Sequence, residues 1–212
     1  MRSSPFNFAG VRCRLHGSLA FTGVGHATDR AITLGLEGFT PENFDELKAS
    51  KALSRIQSTH FLEPDGLGKL KFNTSEDLIF DYGPRLDEHS NGLILYAIDH
   101  QGDVILEEVY FSIGGGFILT KSEFSQQSPN EIGTEVPYPF KTAAEMLQMA
   151  RSSGKSIAEM KRDNEKALHS NAEIKDGLSQ IWKTMDMCIK RGLENDGRLP
   201  GGLNVKRRAK GI

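Results

Sequence analysis

Around residue 140 this 212-residue chain changes the period of its apolar pattern, and that change limits its fold more than any single motif. Before it, Val11, Cys13 and Leu15 alternate with Arg12, Arg14 and His16, the two-residue period of a half-buried strand. After it, Ile174, Leu178, Ile181, Met185 and Ile189 recur at helical spacing. The divide is Val136-Pro-Tyr-Pro-Phe140, a rigid extended segment, because each proline fixes its own φ and disfavours helix in the residue before it. The expectation is an α+β region over residues 1–140, followed by an all-helical region over 141–212. Helices are expected at Ala143–Arg151, Ser156–Leu168 and Ala172–Arg191. No internal repeat or low-complexity tract breaks this plan.

Within the first region a strand is expected at Ala9–Leu15, then a turn through Gly17, Gly23 and Gly25. Thr28 or Asp29 can cap the following helix, and Gly38 can end it. Thr40-Pro41-Glu42 reads as a second helix start, with proline where its missing N–H matters least. From Ala52 to Phe80 the signals are mixed. Ile56, Phe61, Leu70, Phe72, Leu78 and Phe80 look like short strand pieces divided by Pro64-Asp-Gly-Leu-Gly68. Leu93–Ile98 and Val104–Phe111, joined by the turn Asp99–Asp103, form the clearest hairpin.

The net charge of -2 argues against general nucleic-acid binding, which needs a basic surplus. No apolar run approaches the ~20 residues of a bilayer span. Met1–Gly10 lacks the apolar core of a signal peptide, so a cytoplasmic location away from membranes is expected. Cys13 and Cys188 lie far apart and outside any Cys-x-x-Cys pattern, which implies neither a disulfide framework nor a metal site.

Chemistry is best sought at His26, delivered by a glycine-dense turn between a strand and a helix, where α/β proteins place ligands. Imidazole as a class exchanges protons near neutral pH, so this residue could be a general base, a substrate clamp or a satisfied turn histidine. His89, in the polar turn Asp87–Gly92, is a weaker candidate of the same kind. His16, His60, His100 and His169 sit in strand, loop or helix contexts without converging glycines and read as structural. Gly114, Gly115 and Gly116 could bind an anion through backbone amides, or could form a strand-end turn or bulge. They lack the lysine and the spacing of a P-loop. Lys206, Arg207, Arg208 and Lys210 read as a solvated helix start or linker.

Several stretches together resemble bacterial iron–sulfur L-serine dehydratase (L-serine ammonia-lyase) of the single-chain type. They are His16-Gly-Ser-Leu-Ala-Phe-Thr-Gly-Val-Gly-His-Ala-Thr-Asp-Arg-Ala31, His89-Ser-Asn-Gly92 and Tyr110-Phe-Ser-Ile-Gly-Gly-Gly-Phe117. Val136–Phe140, Asn164-Glu-Lys-Ala-Leu-His-Ser170 and Leu199-Pro-Gly-Gly-Leu-Asn-Val-Lys-Arg-Arg208 complete the series in family order.

The resemblance implies a β domain, similar to allosteric substrate-binding domains, followed by a larger helical α domain. It implies conversion of L-serine to pyruvate and ammonia on a [4Fe-4S] cluster, with one iron acting as Lewis acid on the serine hydroxyl. It places the histidines contributed by the β domain at His26 and His89, with Gly114–Gly116 helping to bind substrate. The family's Ser-Ser-His-Thr motif is not matched by Arg2-Ser-Ser-Pro5, and its cluster cysteines are not matched by Cys13 or Cys188. Such a cluster needs cysteine thiolates, so no metal ligand is expected here. The chain therefore resembles a truncated β domain with the first helices of an α domain, inactive without the remaining α domain or a complementary chain. The full enzyme of this family is expected to be a homodimer. The alternative implied by the β domain is a serine-binding regulatory module.

Overall fold

The alternation of Val11–His16 builds the central strand β1 (Gly10–Gly17), which runs two residues past the expected end. The computed structural model describes residues 8–126, 136–199 and 204–211, so Arg2–Pro5 and Pro200–Leu203 lie outside the described residues. These residues fall into two compact units, which divide between 127 and 128, with 198–205 belonging to the first.

In the first unit β1 pairs antiparallel with β5 (Asn91–Ile98), from Gly10 opposite Ile98 to Gly17 opposite Asn91. The other edge of β1 is shared. β3 (Leu70–Lys71) meets it at Gly10, and β4 (Leu78–Phe80) runs parallel to Cys13–Leu15. β2 (Phe61–Leu62) pairs with β3, while β6 (Val104–Gly114) and β7 (Phe117–Thr120) extend the sheet beyond β5. Among the described residues this gives a seven-stranded sheet of order β2-β3-β1-β5-β6-β7, with β4 beside β1. The fold is mixed α+β, as expected.

Cys13 and Leu15 point to the face covered by α1 (Ser18–Phe21), α2 (Thr28–Glu37) and α3 (Glu46–Thr59). There they join Ala20, Ile56, Leu62, Leu70, Phe72 and Leu78 in one buried cluster. Each buried aliphatic side chain of this size contributes about 1.5–3 kcal/mol relative to exposure. Arg12, Arg14 and His16 alternate onto the opposite face.

Three local expectations are corrected. Neither Thr28 nor Asp29 caps α2. Its cap position is Ala27, at φ 55°, and the Thr28 N–H is already taken by the Gly23 carbonyl at 2.9 Å. α3 starts at Glu46 rather than at Pro41, because Thr40 and Asn43 close a turn on each other and Asp45 accepts from the Lys48 N–H at 2.9 Å. Ile56 belongs to this helix, not to a strand. It is buried two turns after Ala49, so the helical period overrides its β-branched preference. The Leu93–Ile98/Val104–Phe111 hairpin is present, whereas β7 and α4 (Lys121–Gln126) carried no sequence signal strong enough to place them.

The second unit holds α5 (Ala143–Ser153), α6 (Ile157–Lys166) and α7 (Asn171–Glu194). Thr142 with Glu145, Ser156 with Glu159 and Ser170 with Glu173 form capping boxes that satisfy orphan N–H groups at the three starts. α6 stops at Lys166, two residues short of the expected Leu168. The buried Asn164 clamps the proline segment through both backbone groups of Tyr138, at 2.9 and 2.8 Å. α7 has no buried residue, and its Leu178, Ile181, Trp182 and Met185 are more than half exposed. No helix among the described residues is long and apolar enough to cross a membrane.

Candidate active site

The β1–β5 register brings together two sequence words that lie far apart in the chain. Gly17 pairs with Asn91, and the Ser18 N–H donates to the Ser90 carbonyl at 2.8 Å. Gly17 has φ 54°, and a side chain there would collide with the Ser90 carbonyl and crowd Arg85 Cβ at 3.2 Å. Only glycine fits this crossing. His16-Gly-Ser thus lies against His89-Ser-Asn-Gly.

His26 closes the turn after α1. Thr22 donates to the Ser18 carbonyl through its N–H (3.0 Å) and its hydroxyl (2.7 Å). The His26 N–H returns to the Thr22 and Gly23 carbonyls, both at 3.2 Å. Gly23 is buried, and a Cβ on it would sit 2.8 Å from the Phe80 ring, which explains the glycine. The imidazole is exposed, with Nδ1 2.9 Å from the Thr22 carbonyl oxygen. A carbonyl only accepts, so Nδ1 carries the proton and the neutral ring presents a lone pair at Nε2.

His89 has the opposite arrangement. It is half-buried, and its Nδ1 accepts from the Asn91 N–H at 3.0 Å. The neutral ring therefore carries its proton on Nε2. Phe111 and Phe124, with centroids 5.1 Å apart, hold the ring at 6.3 and 6.1 Å. Beside it Glu88 pairs with Lys121 at 2.6 Å, which holds the Glu88 carboxyl below its ordinary range and raises the Lys121 ammonium.

Gly114, Gly115 and Gly116 all have positive φ, at 99°, 63° and 86°. Gly114 pairs with Phe117, leaving Gly115-Gly116 as a two-residue hairpin turn of the kind that requires positive φ at both positions. The register slips between Ser112 and Gly114, so turn and bulge occur together. The Asn91 side chain donates to the Ser112 carbonyl at 3.3 Å and ties this hairpin to the His89 segment.

The other histidines are spread around the fold. His60 ends α3 at φ 58°, His100 lies exposed between β5 and β6, and His169 precedes α7 in the second unit. His16, which the sequence suggested was merely structural, is 8% exposed, and neither ring nitrogen has a hydrogen-bond partner among the described residues. Its Nδ1 lies 3.9 Å from Asp81 Oδ2. The Gly83 N–H first, and then His16 and Arg14, hold the Asp81 carboxyl below its ordinary range. The sequence signal for His16 was present, a polar ring on a strand about to enter a Gly-Ser crossing, but its burial was not legible.

The chain's two cysteines are fewer than the four thiolates that ordinarily hold a [4Fe-4S] cluster. Cys13 is fully buried in the first unit's core, which pushes its thiol up to about 12, and Cys188 is exposed on α7. Among the described residues no group of three or more His, Cys, Asp or Glu side chains is placed to hold a metal.

The family model for the serine dehydratase beta chain matches residues 3–123. The chain belongs to the serine dehydratase beta chain family. It is 38% identical over 201 residues to L-serine dehydratase of Streptomyces coelicolor, covering 95% of this chain and 44% of that protein. L-serine dehydratase 1 of Escherichia coli is 38% identical over 204 residues, with 95% and 44% covered. L-serine dehydratase of Haemophilus influenzae is 36% identical over 201 residues, with 94% and 43% covered. The chain thus spans less than half the length of these relatives.

Proposed function

We propose that this chain is the β-domain part, with the first helices of the α domain, of an L-serine dehydratase that converts L-serine to pyruvate and ammonia. Residues 1–140 form the β domain in this reading, with the layout of an allosteric substrate-binding domain, and 141–212 begin the α domain. The observation that carries it is the complementary state of two imidazoles, a lone pair at His26 Nε2 and an N–H at His89 Nε2. Elimination of water from serine takes a proton from Cα and expels the β-hydroxyl, and the resulting aminoacrylate hydrolyses to pyruvate and ammonia. His26, exposed and orienting an acceptor nitrogen, takes the α-proton. His89, braced by Phe111 and Phe124, donates to an oxygen of the substrate and fixes its position. The hairpin at Gly114–Gly116 shapes the same side of the site, tied to it by Asn91.

Two cysteines, one of them buried in the first unit's core, cannot supply the four thiolates of the family's [4Fe-4S] cluster, so in this reading protein outside this chain completes its ligands, and no step here is routed through it. The exposed apolar face of α7 supports packing against further helices, as the greater length of the relatives suggests. The test is pyruvate formation from L-serine under anaerobic iron–sulfur reconstitution. The chain alone should form none. Mixed with the part of the Streptomyces protein that it does not match, it should form pyruvate. Serine binding with no turnover in the mixture would favour the regulatory alternative.

A further inference from the structure

Three buried side-chain polar atoms have no hydrogen-bond partner among the described residues: Arg14 Nε, His16 Nδ1 and His16 Nε2. All belong to residues that converge on one carboxylate. Arg14 Nη1 donates to Asp81 Oδ2 at 3.2 Å, and His16 Nδ1 lies 3.9 Å from the same oxygen. A buried donor left unmade is costly, so an imidazole kept in this position needs a reason beyond packing.

Asp81 opens the segment that runs to Ser90. Its N–H continues the β4–β1 ladder to the Leu15 carbonyl at 2.9 Å, and its Oδ1 accepts from the Gly83 N–H at 2.8 Å. Farther along, Tyr82 packs edge-on against Phe21 of α1 at 5.3 Å. Leu86 fills the space left by Gly92, where a Cβ would sit 2.6 Å from Leu86 Cδ1 and 3.4 Å from Phe111 Cε1. The segment ends at His89 and at Ser90, whose carbonyl receives the Ser18 N–H. It therefore touches the α1 turn that carries His26 and contains His89 itself.

We propose that Asp81–Ser90 is a strap that positions both candidate histidines, and that His16 is the buried positioning residue that fastens it. His16 acts through Asp81: its Nδ1 lies, at 3.9 Å, opposite the same Oδ2 to which Arg14 Nη1 donates at 3.2 Å. Only the naming of His26 and His89 as the functional pair rests on the dehydratase reading; the strap itself does not.

Hydrogen exchange of the full 212-residue chain tests this, because the Ser18 N–H bonds to Ser90 and the Asn91 N–H bonds to His89 Nδ1. The Phe72 N–H, bonded to the His60 carbonyl, reports the core. His16→Phe keeps an aromatic ring and removes both nitrogens. It should speed exchange at Ser18 and Asn91 about tenfold while Phe72 is unchanged. His16→Gln, which restores a donor, should return both amides to within about threefold of the parent chain. Asp81→Asn removes the carboxylate at similar volume and should loosen the same two amides; it decides the matter if His16→Phe does not fold. Unchanged exchange at Ser18 and Asn91 in these variants overturns the proposal, as does His16→Gln behaving like His16→Phe. Loosened amides together with failure of the pyruvate assay would refute the dehydratase reading and leave the strap standing.

Discussion

Gly17, the last residue of β1, pairs with Asn91, the first residue of β5. That one pairing sets the His16-Gly-Ser and His89-Ser-Asn-Gly words side by side. It leaves no room for a side chain at Gly17. Gly17→Ala should therefore cost about 1–3 kcal/mol in urea denaturation, from the positive φ and the collision with the Ser90 carbonyl. Gly25→Ala, whose Cβ would meet its nearest atom at 3.5 Å, should change stability by less than about 0.5 kcal/mol.

The two histidines should fail differently in the assembled enzyme. His26→Ala should lower kcat by about 10²–10⁴-fold, the usual contribution of a general base. His89→Ala should raise KM for L-serine as well, because in the proposed mechanism it holds substrate. Steady-state pyruvate kinetics on both variants check this, and a near-parental kcat for His26→Ala would remove that residue from the proton transfer.

Phe111 is fully buried and supports both His89 and Phe124. Phe111→Ala should destabilise the first unit by about 3–5 kcal/mol, the range for deleting a buried aromatic. Denaturant unfolding monitored by circular dichroism measures it.

The helical unit should lose stability in acid. Glu145, Glu159 and Glu173 accept backbone N–H bonds in their capping boxes, which lowers each carboxyl below its ordinary value. Their contribution is complete above the unfolded glutamate value of about 4.3 and disappears as pH falls through the lower folded values. Helical ellipticity should therefore decline below that pH. Glu159→Gln should flatten the share of the acid loss that belongs to α6, because glutamine keeps the reciprocal bond without titrating.

Trp182 is the only tryptophan in the chain and is 62% exposed on α7. Its emission should shift to the blue when the complementary part of a relative is added, as water leaves the Leu178–Met185 face. Ile181→Ser should weaken that shift. An unshifted spectrum in an active mixture would show that this face stays open.

Local rules made part of this protein legible from sequence alone. The alternation around Cys13 and Leu15, the hairpin through Asp99–Asp103, the C-terminal cap at Gly38 and three helices after Phe140 are short-range signals, and their residues carry them directly. His26 and His89 could be singled out, by their turns and then by family likeness, because each sits in a distinctive word of sequence. Tertiary structure decided the rest. Ile56 went into a helix because burial against the sheet outweighs its strand preference. The tautomers of His26 and His89 depend on which backbone group each Nδ1 meets, and that is set by the Thr22 turn and the Asn91 strand start. His16 comes within 3.9 Å of Asp81 only because β4, which Asp81 follows, pairs with β1, a long-range pairing that no local pattern encodes.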